Sequence, residues 1–413
     1  MAFYFFFAII IILIADFGLE RLLALLNIKN SKTALPAVVA DIYDSETYNK
    51  QQKYFRANSR FGMISSTFSF AITLSMFIFG GFGWLDATLT SYITNPVLHT
   101  LIFFGIIFLV NDVLHIPFEL YDTFVIEQNF GFNKVTPKIF ILDKIKSYLL
   151  TIVIGGGLLF AIVSFYNYTP EYFWIISWTL VTAFSLFMSL FYSELIVPLF
   201  NKQTPLPEGE LRTEIEKFAA KSNFKLTDIY VIDGSKRSTK ANAYFTGFGP
   251  KKRIVLYDTL MDKMTTNEIV AVLAHETGHY KHKHVLKSMF ISLPTSLLLF
   301  YLLGVFLSSD ALAQALGGKE ACFHLNALAF GILYTPFSQA LNLFGNYVSR
   351  KNEYQADKYA ADYQLGTELI SGLKKLSSSS LSNLLPHPVY VFFHYSHPTL
   401  YQRIMSINKN TSL

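Results

Sequence analysis

Thr265-Thr266-Asn267-Glu268-Ile269-Val270-Ala271-Val272-Leu273-Ala274-His275-Glu276-Thr277-Gly278-His279 decides how this chain is read. Thr265 and Glu268 have the spacing of a capping box, which opens a helix. The His-Glu-x-x-His run at 275–279 falls within that helix. Residues four apart lie on one helical face with Cβ atoms roughly 5–6 Å apart. Two imidazoles so placed can share one tetrahedral Zn²⁺, and Glu276 between them can reach the metal's open position as general base. Directly after it, residues 288–308 form an apolar segment of membrane length.

That segment has company. Of the 413 residues 52% are hydrophobic, 16% aromatic and only 15% charged. No Lys or Arg occurs between Met1 and Leu19, between Phe61 and Gln128, or between Ser147 and Asn201, a pattern that suits lipid better than a soluble core. Seven spans follow, at about 2–18, 63–84, 98–117, 148–167, 173–200, 288–308 and 324–348, each near the ~20 residues a bilayer demands. The first lacks a basic n-region and carries Asp16 where a small-residue cleavage site would stand, so it reads as an uncleaved helix.

Charge then sorts the connections. With the amino terminus on side one, side two receives 33 of the 34 Lys and Arg, and side one only Lys319. The positive-inside rule puts side two, and with it the carboxyl terminus, in the cytoplasm. The formal net charge of +5 belongs to cytoplasmic loops facing anionic lipid and requires no nucleic-acid partner. Cys322 is the single cysteine, which excludes an internal disulfide and a Cys-based zinc site.

The expected architecture is mainly α: a seven-helix transmembrane bundle enclosing a chamber, with a small α+β zinc-peptidase domain on the cytoplasmic side. Helices 1–5 occupy residues 1–200, a cytoplasmic insertion 201–287, helices 6–7 residues 288–348, and a cytoplasmic part that completes the zinc site 349–413. Within the insertion, 207–223 reads as an amphipathic helix with Leu211, Ile215, Phe218 and Ala219 on one stripe. Asp228–Ile232, Ala241–Phe248 and Arg253–Tyr257 read as strands, and Gly249-Pro250-Lys251-Lys252 as a hairpin turn. Two polar stripes inside spans, Asn111/His115/Glu119 and Gln339/Asn342/Asn346, cannot face lipid cheaply. They face either a wet interior or neighbouring helices.

A catalytic zinc needs a third protein ligand. The metzincin pattern fails, because positions 282 and 285 are His282 and Val285 rather than Gly and His. Glu353 is the better candidate: it lies on the same membrane side as the histidines, and Asp357, one turn on, can accept the second ring N–H of a ligating His. His282 and His284 are assigned to solvated or supporting roles.

The chain resembles the Ste24-type CAAX prenyl proteases, the integral-membrane branch of zinc metallopeptidase family M48. The likeness rests on Glu127-Gln128-Asn129-Phe130-Gly131-Phe132-Asn133-Lys134 with Thr136, Pro198-Leu199-Phe200-Asn201-Lys202, Asn242-Ala243-Tyr244-Phe245, the 275–279 run, Glu353 with Asp357, and Ser396-His397-Pro398 with Arg403. It implies a large water-filled chamber capped by the zinc domain, one Zn²⁺ per chain held by His275, His279 and Glu353, and cleavage of prenylated carboxyl-terminal peptides. Glu276 would be the base, and Asn242, His397 and Arg403 would line the substrate cleft.

On that basis His397 is a candidate donor to the tetrahedral oxyanion, and Arg403 would orient it or grip a substrate carboxylate. Asn242, Ala243 and Tyr244 precede the expected hairpin, where an exposed edge would take substrate as an added strand. The expected partners are a peptide or protein substrate, prenylated in the family's reaction, and the lipid bilayer. Lack of a dilysine retrieval signal favours a bacterial inner membrane, with the endoplasmic reticulum as the eukaryotic alternative. Two other readings compete: a quality-control protease without prenyl preference, and a transporter whose zinc is structural. An intact Glu276 argues against the latter.

Overall fold

The computed structural model describes residues 1–31, 34–224, 226, 228–246 and 253–411. Five long apolar helices come first: α1 (Ala2–Asn30), α2 (Ser45–Ile78), α3 (Pro96–Tyr121, prolonged by a π turn at Asp122–Glu127), α4 (Pro137–Leu150, continued through a second π turn to Tyr168) and α5 (Phe173–Leu195). Then come β1 (Gln203–Pro205), α6 (Glu210–Lys221), β2 (Asp228–Ile232), β3 (Ala243–Thr246), β4 (Arg253–Tyr257) and α7 (Thr266–Lys281). The chain re-enters the apolar layer as α8 (His284–Leu307) and returns through α9 (Phe323–Leu333) and α10 (Thr335–Asp362). It closes with α11 (Gly366–Ser379) and α12 (Leu400–Thr411).

The helical bundle and its count of spans agree with expectation: six single helices pass as spans, and α9 with α10 makes a seventh bent by 52°. The bend has a local cause. Pro336 sits in the first turn of α10, where its missing N–H and its ring interrupt the helical ladder. One boundary differs. The span expected over 63–84 is not continuous: α2 stops at Ile78, and Gly80, at φ +66, turns the chain into a separate helix, Gly81–Thr90.

Between its ends the bundle is hollow. Phe108, Leu109, Val110 and Asn111 on α3 are all exposed, and four consecutive residues spaced 100° apart cover the whole circumference of a helix. One side of α3 there faces outward to lipid; the opposite side faces inward with nothing packed on it. Among the described residues, buried apolar side chains gather in four clusters that lie at the two ends of the bundle. One end holds Ile215, Ile254, Leu273 and Ile407, and Val39, Leu384 and Ile404; the other holds Ile9, Phe103, Leu312 and Leu325, and Val163, Phe173 and Leu307.

The polar stripes divide between the two fates considered. His115 meets Ser69 Oγ at 2.7 Å, Glu119 accepts from Lys144 Nζ at 2.7 Å, Gln339 donates to Asp16, and Asn346 donates to the Phe393 carbonyl at 2.8 Å. Asn111 and Asn342 remain exposed.

The extramembrane sheet runs β1-β2-β4-β3, with β2 parallel to β4 and both outer strands antiparallel to their neighbours. β3 pairs with β4 from Ala243 opposite Leu256 to Thr246 opposite Arg253. The expected strand began at Ala241; β3 begins at Ala243, and the remainder of that run with the turn at 249–252 lies outside the described residues. α6 lays Ile215, Phe218 and Ala219 against the core, as its stripe requires.

Candidate active site

α7 is anchored before it is functional. Thr265 Oγ1 accepts the Glu268 amide at 3.4 Å, and Glu268 Oε2 accepts the Thr265 amide at 2.7 Å, completing the capping box. Buried Glu268 also accepts from Ser371 Oγ (2.6 Å) and Lys375 Nζ (2.7 Å) on α11. Burial alone would push its carboxyl pKa up, but the hydrogen bonds from Lys375, Ser371 and the Thr265 amide outweigh this and hold it below the usual range. Lower on the helix, Gly278 lets α10 come close: a Cβ there would fall 2.9 Å from Ala356 Cα. The crossing brings Glu353 over the two histidines.

His275 Nε2 and His279 Nε2 lie 3.2 Å apart; Glu353 Oε2 is 3.4 Å from the first and Oε1 3.2 Å from the second. Ligands bound at about 2.0–2.1 Å with tetrahedral angles stand roughly 3.3 Å apart, close to the separation of the two nitrogens and of each nitrogen from its nearer Glu353 oxygen. Glu353 Oε2 is buried without a short hydrogen bond: its nearest donors are His275 Nε2 at 3.4 Å and Arg403 Nη1 at 3.6 Å, and a bound cation would satisfy it. His275 and Glu353 are 8% and 5% exposed at their side chains.

Behind the triangle each imidazole is held by its outer nitrogen. His275 Nδ1 lies 2.8 Å from Asp357 Oδ1, and donation of Nδ1–H to that carboxylate leaves Nε2 as a lone pair facing the triangle. Burial lowers the His275 pKa, yet the hydrogen bonds to Asp357 and Glu353 more than reverse this and push it up to about 9. The carboxylates thus make a seat for positive charge that a proton fills when a metal does not. His279 Nδ1 lies 2.9 Å from His284 Nδ1, and His284 Nε2 lies 2.8 Å from Gln355 Oε1. Proton placement consistent with both contacts runs His279 to His284 to Gln355, each N–H donating onward.

The remaining positions sort by contact. His397 reaches the cluster, with Nε2 3.3 Å from Glu353 Oε1 and Nδ1 2.9 Å from Ser396 Oγ, and is 61% exposed. Glu276 follows His275 on α7 and is half-buried. Arg403 is placed differently from the expectation that it would orient His397 or grip a substrate carboxylate. Its guanidinium is buried and forks onto Asp357 (2.6 and 2.9 Å), with Nη2 3.3 Å from His275 Nδ1. Asp357 occupies both prongs, so Arg403 fixes the residue that fixes His275.

Asn242, Ala243 and Tyr244 form a separate wall. β3 is an edge strand, and the Tyr257 amide bonds to the Asn242 carbonyl (3.1 Å), which turns the amide and carbonyl of the next residue, Ala243, away from β4. Asn242 Oδ1 caps that outward Ala243 amide at 2.9 Å. Tyr244 OH meets Ser193 Oγ of α5 at 3.1 Å and Gln203 Nε2 at 3.2 Å. The approach to β3 is braced by the 127–134 segment: Lys240 Nζ donates to Glu127 Oε2 (2.8 Å), Lys134 N to the Arg237 carbonyl, and Thr239 N to the Phe132 carbonyl.

Of the two roles considered for His284, the structure shows the supporting one, against His279; Gln355 behind it escaped sequence reasoning, because a glutamine two residues past Glu353 carries no distinguishing spacing.

A bundle of this size carrying a buried His-His-Glu triangle, with a glutamate beside it, defines a polytopic membrane metallopeptidase. Residues 24–202 match the family described as CAAX prenyl protease N-terminal, five membrane helices, and residues 205–411 match peptidase family M48. CAAX prenyl protease 1 of Saccharomyces cerevisiae is 35% identical over 423 residues, covering 96% of this chain and 93% of that protein. The Homo sapiens CAAX prenyl protease 1 homolog is 31% identical, covering 92% and 90%. The crystal structure of S. mikatae Ste24p superimposes with a TM-score of 0.90 at 34% identity, over 98% of each chain. The chain belongs to the CAAX prenyl protease 1 family of M48 metallopeptidases.

Proposed function

We propose that this membrane metallopeptidase uses Zn²⁺ held by His275, His279 and Glu353 to hydrolyse the carboxyl-terminal peptide of prenylated proteins. The observation that carries the reading is the triangle of 3.2–3.4 Å edges with a buried Glu353 oxygen lacking a short hydrogen bond and Glu276 on the adjacent helical position. Two imidazoles and one carboxylate are a donor set that suits zinc, and three protein ligands leave a position for substrate. Bound zinc supplies Lewis acidity toward the scissile carbonyl and an acidified water.

The chain's own residues supply the rest. Glu276 takes the proton of the attacking water and returns it to the leaving amine. His397, exposed and 3.3 Å from Glu353, donates to the developing oxyanion. Asp357 and Arg403 keep His275 in its ligating tautomer, and His284 with Gln355 does the same for His279. The outward amide and carbonyl of Ala243 take the substrate backbone as an added strand, with Asn242 yielding its cap. Residues 201–287 and 349–413 make one catalytic unit outside the bilayer, on the cytoplasmic side to which the charge asymmetry assigns the carboxyl terminus. The membrane is either a bacterial inner membrane or the endoplasmic reticulum, and fractionation of the source cells separates the two.

The test compares wild type with Glu276→Gln in detergent, each assayed for metal and offered a farnesylated peptide and its unlipidated twin. We expect unchanged metal content and a fall in kcat of at least a hundredfold, the range lost with a general base. Equal cleavage by both proteins would overturn the catalytic role. Equal cleavage of both peptides would replace prenyl specificity with a quality-control role.

A further inference from the structure

The end of the bundle opposite the catalytic triangle carries a second convergence of ligand-type side chains. His324, at the start of α9, places Nε2 2.8 Å from Asp86 Oδ1, on the helix Gly81–Thr90, and 3.5 Å from Cys322 Sγ. His99, in the first turn of α3, places Nε2 3.4 Å from the same Asp86 oxygen. The His99 and His324 rings are 4.7 Å apart. Three helices are therefore brought to one point by one carboxylate and two imidazoles, with the Cys322 thiol beside His324.

We infer that Asp86, His99 and His324 form a second divalent-metal site suited to Zn²⁺. Two observations argue for it. First, the ligand atoms of these three residues all lie within 4.8 Å of one another, and two imidazoles with one carboxylate suit zinc over magnesium or calcium. Second, His99 Nε2 is buried without a hydrogen-bond partner, and it sits on the Asp86 side of its ring, where it faces the cluster.

The consequence of the site is mechanical: it ties the helix Gly81–Thr90 and the starts of α3 and α9 into one end of the bundle. The site is independent of the catalytic reading, because it shares no residue or element face with His275, His279 or Glu353.

Metal content of the full-length protein, measured by mass spectrometry after exchange into zinc-containing and then zinc-free detergent buffer, tests the inference. We expect two zinc ions per chain in wild type, one in a His275→Ala/His279→Ala variant, and none when His324→Ala is added to it. One ion in wild type together with none in His275→Ala/His279→Ala overturns the proposal. Loading the His275→Ala/His279→Ala protein with Co²⁺ gives a second readout: cobalt d–d absorption that disappears in Asp86→Asn supports the site, and absorption that persists there overturns it. His99→Gln should lose one ion while eluting as a monodisperse species; if it retains both, His99 is not a ligand.

Discussion

At the scale of single residues, the site is a set of paired charges whose partners matter as much as the ligands. Asp357 accepts from His275 and is forked by Arg403. Asp357→Asn keeps the shape but loses the charge that fixes the imidazole, and it should lower metal affinity 10–100-fold, measured by competition with a chelator, with a parallel fall in activity at limiting zinc. Glu268 shows the same logic in the helix cap. Its pKa is depressed in the folded protein, so its contribution is present above the ordinary carboxylate range and is lost as pH falls below about 4. Glu268→Gln should therefore lower the thermal midpoint at pH 7, by the equivalent of about 2 kcal/mol, and the gap from wild type should narrow in acid; a constant gap would detach the effect from ionisation. The histidines and Glu276 were legible in the sequence because a helix converts spacing of four into a shared face. Glu353 was legible from its membrane side and its neighbour Asp357. The role of Arg403 was not, since a cation six residues after His397 gives no hint that a buried carboxylate on another helix would claim both its prongs. His284 and Gln355 depend on the turn at Lys283, whose φ of +55 re-aims the chain, and no propensity signals that.

At the scale of elements, the proposed function rests on two features: α7 against α10, and the free edge of β3. The first is set by Gly278, which brings the Glu353 helix within reach of the histidines. The second offers one outward amide, at Ala243, capped by its own neighbour Asn242. Proline is tolerated on an edge strand where its missing N–H faces away from the ladder. Ala243→Pro should thus fold and hold metal as wild type does while raising KM severalfold with little change in kcat, as read from steady-state kinetics; an unchanged KM would exclude this edge as the substrate's docking line. Here the sequence marked the strands but missed the sheet order, because β2 pairs with β4 in parallel across the intervening β3, a non-local choice that alternation of side chains cannot encode. It likewise read 63–84 as one span, since composition is blind to the left-handed turn at Gly80.

At the scale of the whole molecule, apolar length and cation sorting gave the number of spans, and hydropathy alone did not reveal that most of them are unpacked along their middles. The proposed metal would clamp α7 to α10, which already pack directly at Gly278 although α8 and α9 intervene in sequence. A ligand bound only by the native state stabilises by RT ln(1 + [L]/Kd), about 4 kcal/mol at a thousandfold excess over Kd. Chelation should lower the thermal midpoint of wild type by more than that of Glu353→Ala, and equal shifts would show that the His-His-Glu triangle contributes nothing to cohesion. The four apolar clusters sit at the two ends, two at each. Such a molecule is built like a cask, its staves gripped by hoops at top and bottom and barely touching between. A bulky guest can enter at mid-height by spreading neighbouring staves without unfolding anything, because few contacts are broken there. Damage to either hoop, by contrast, will loosen every stave at once.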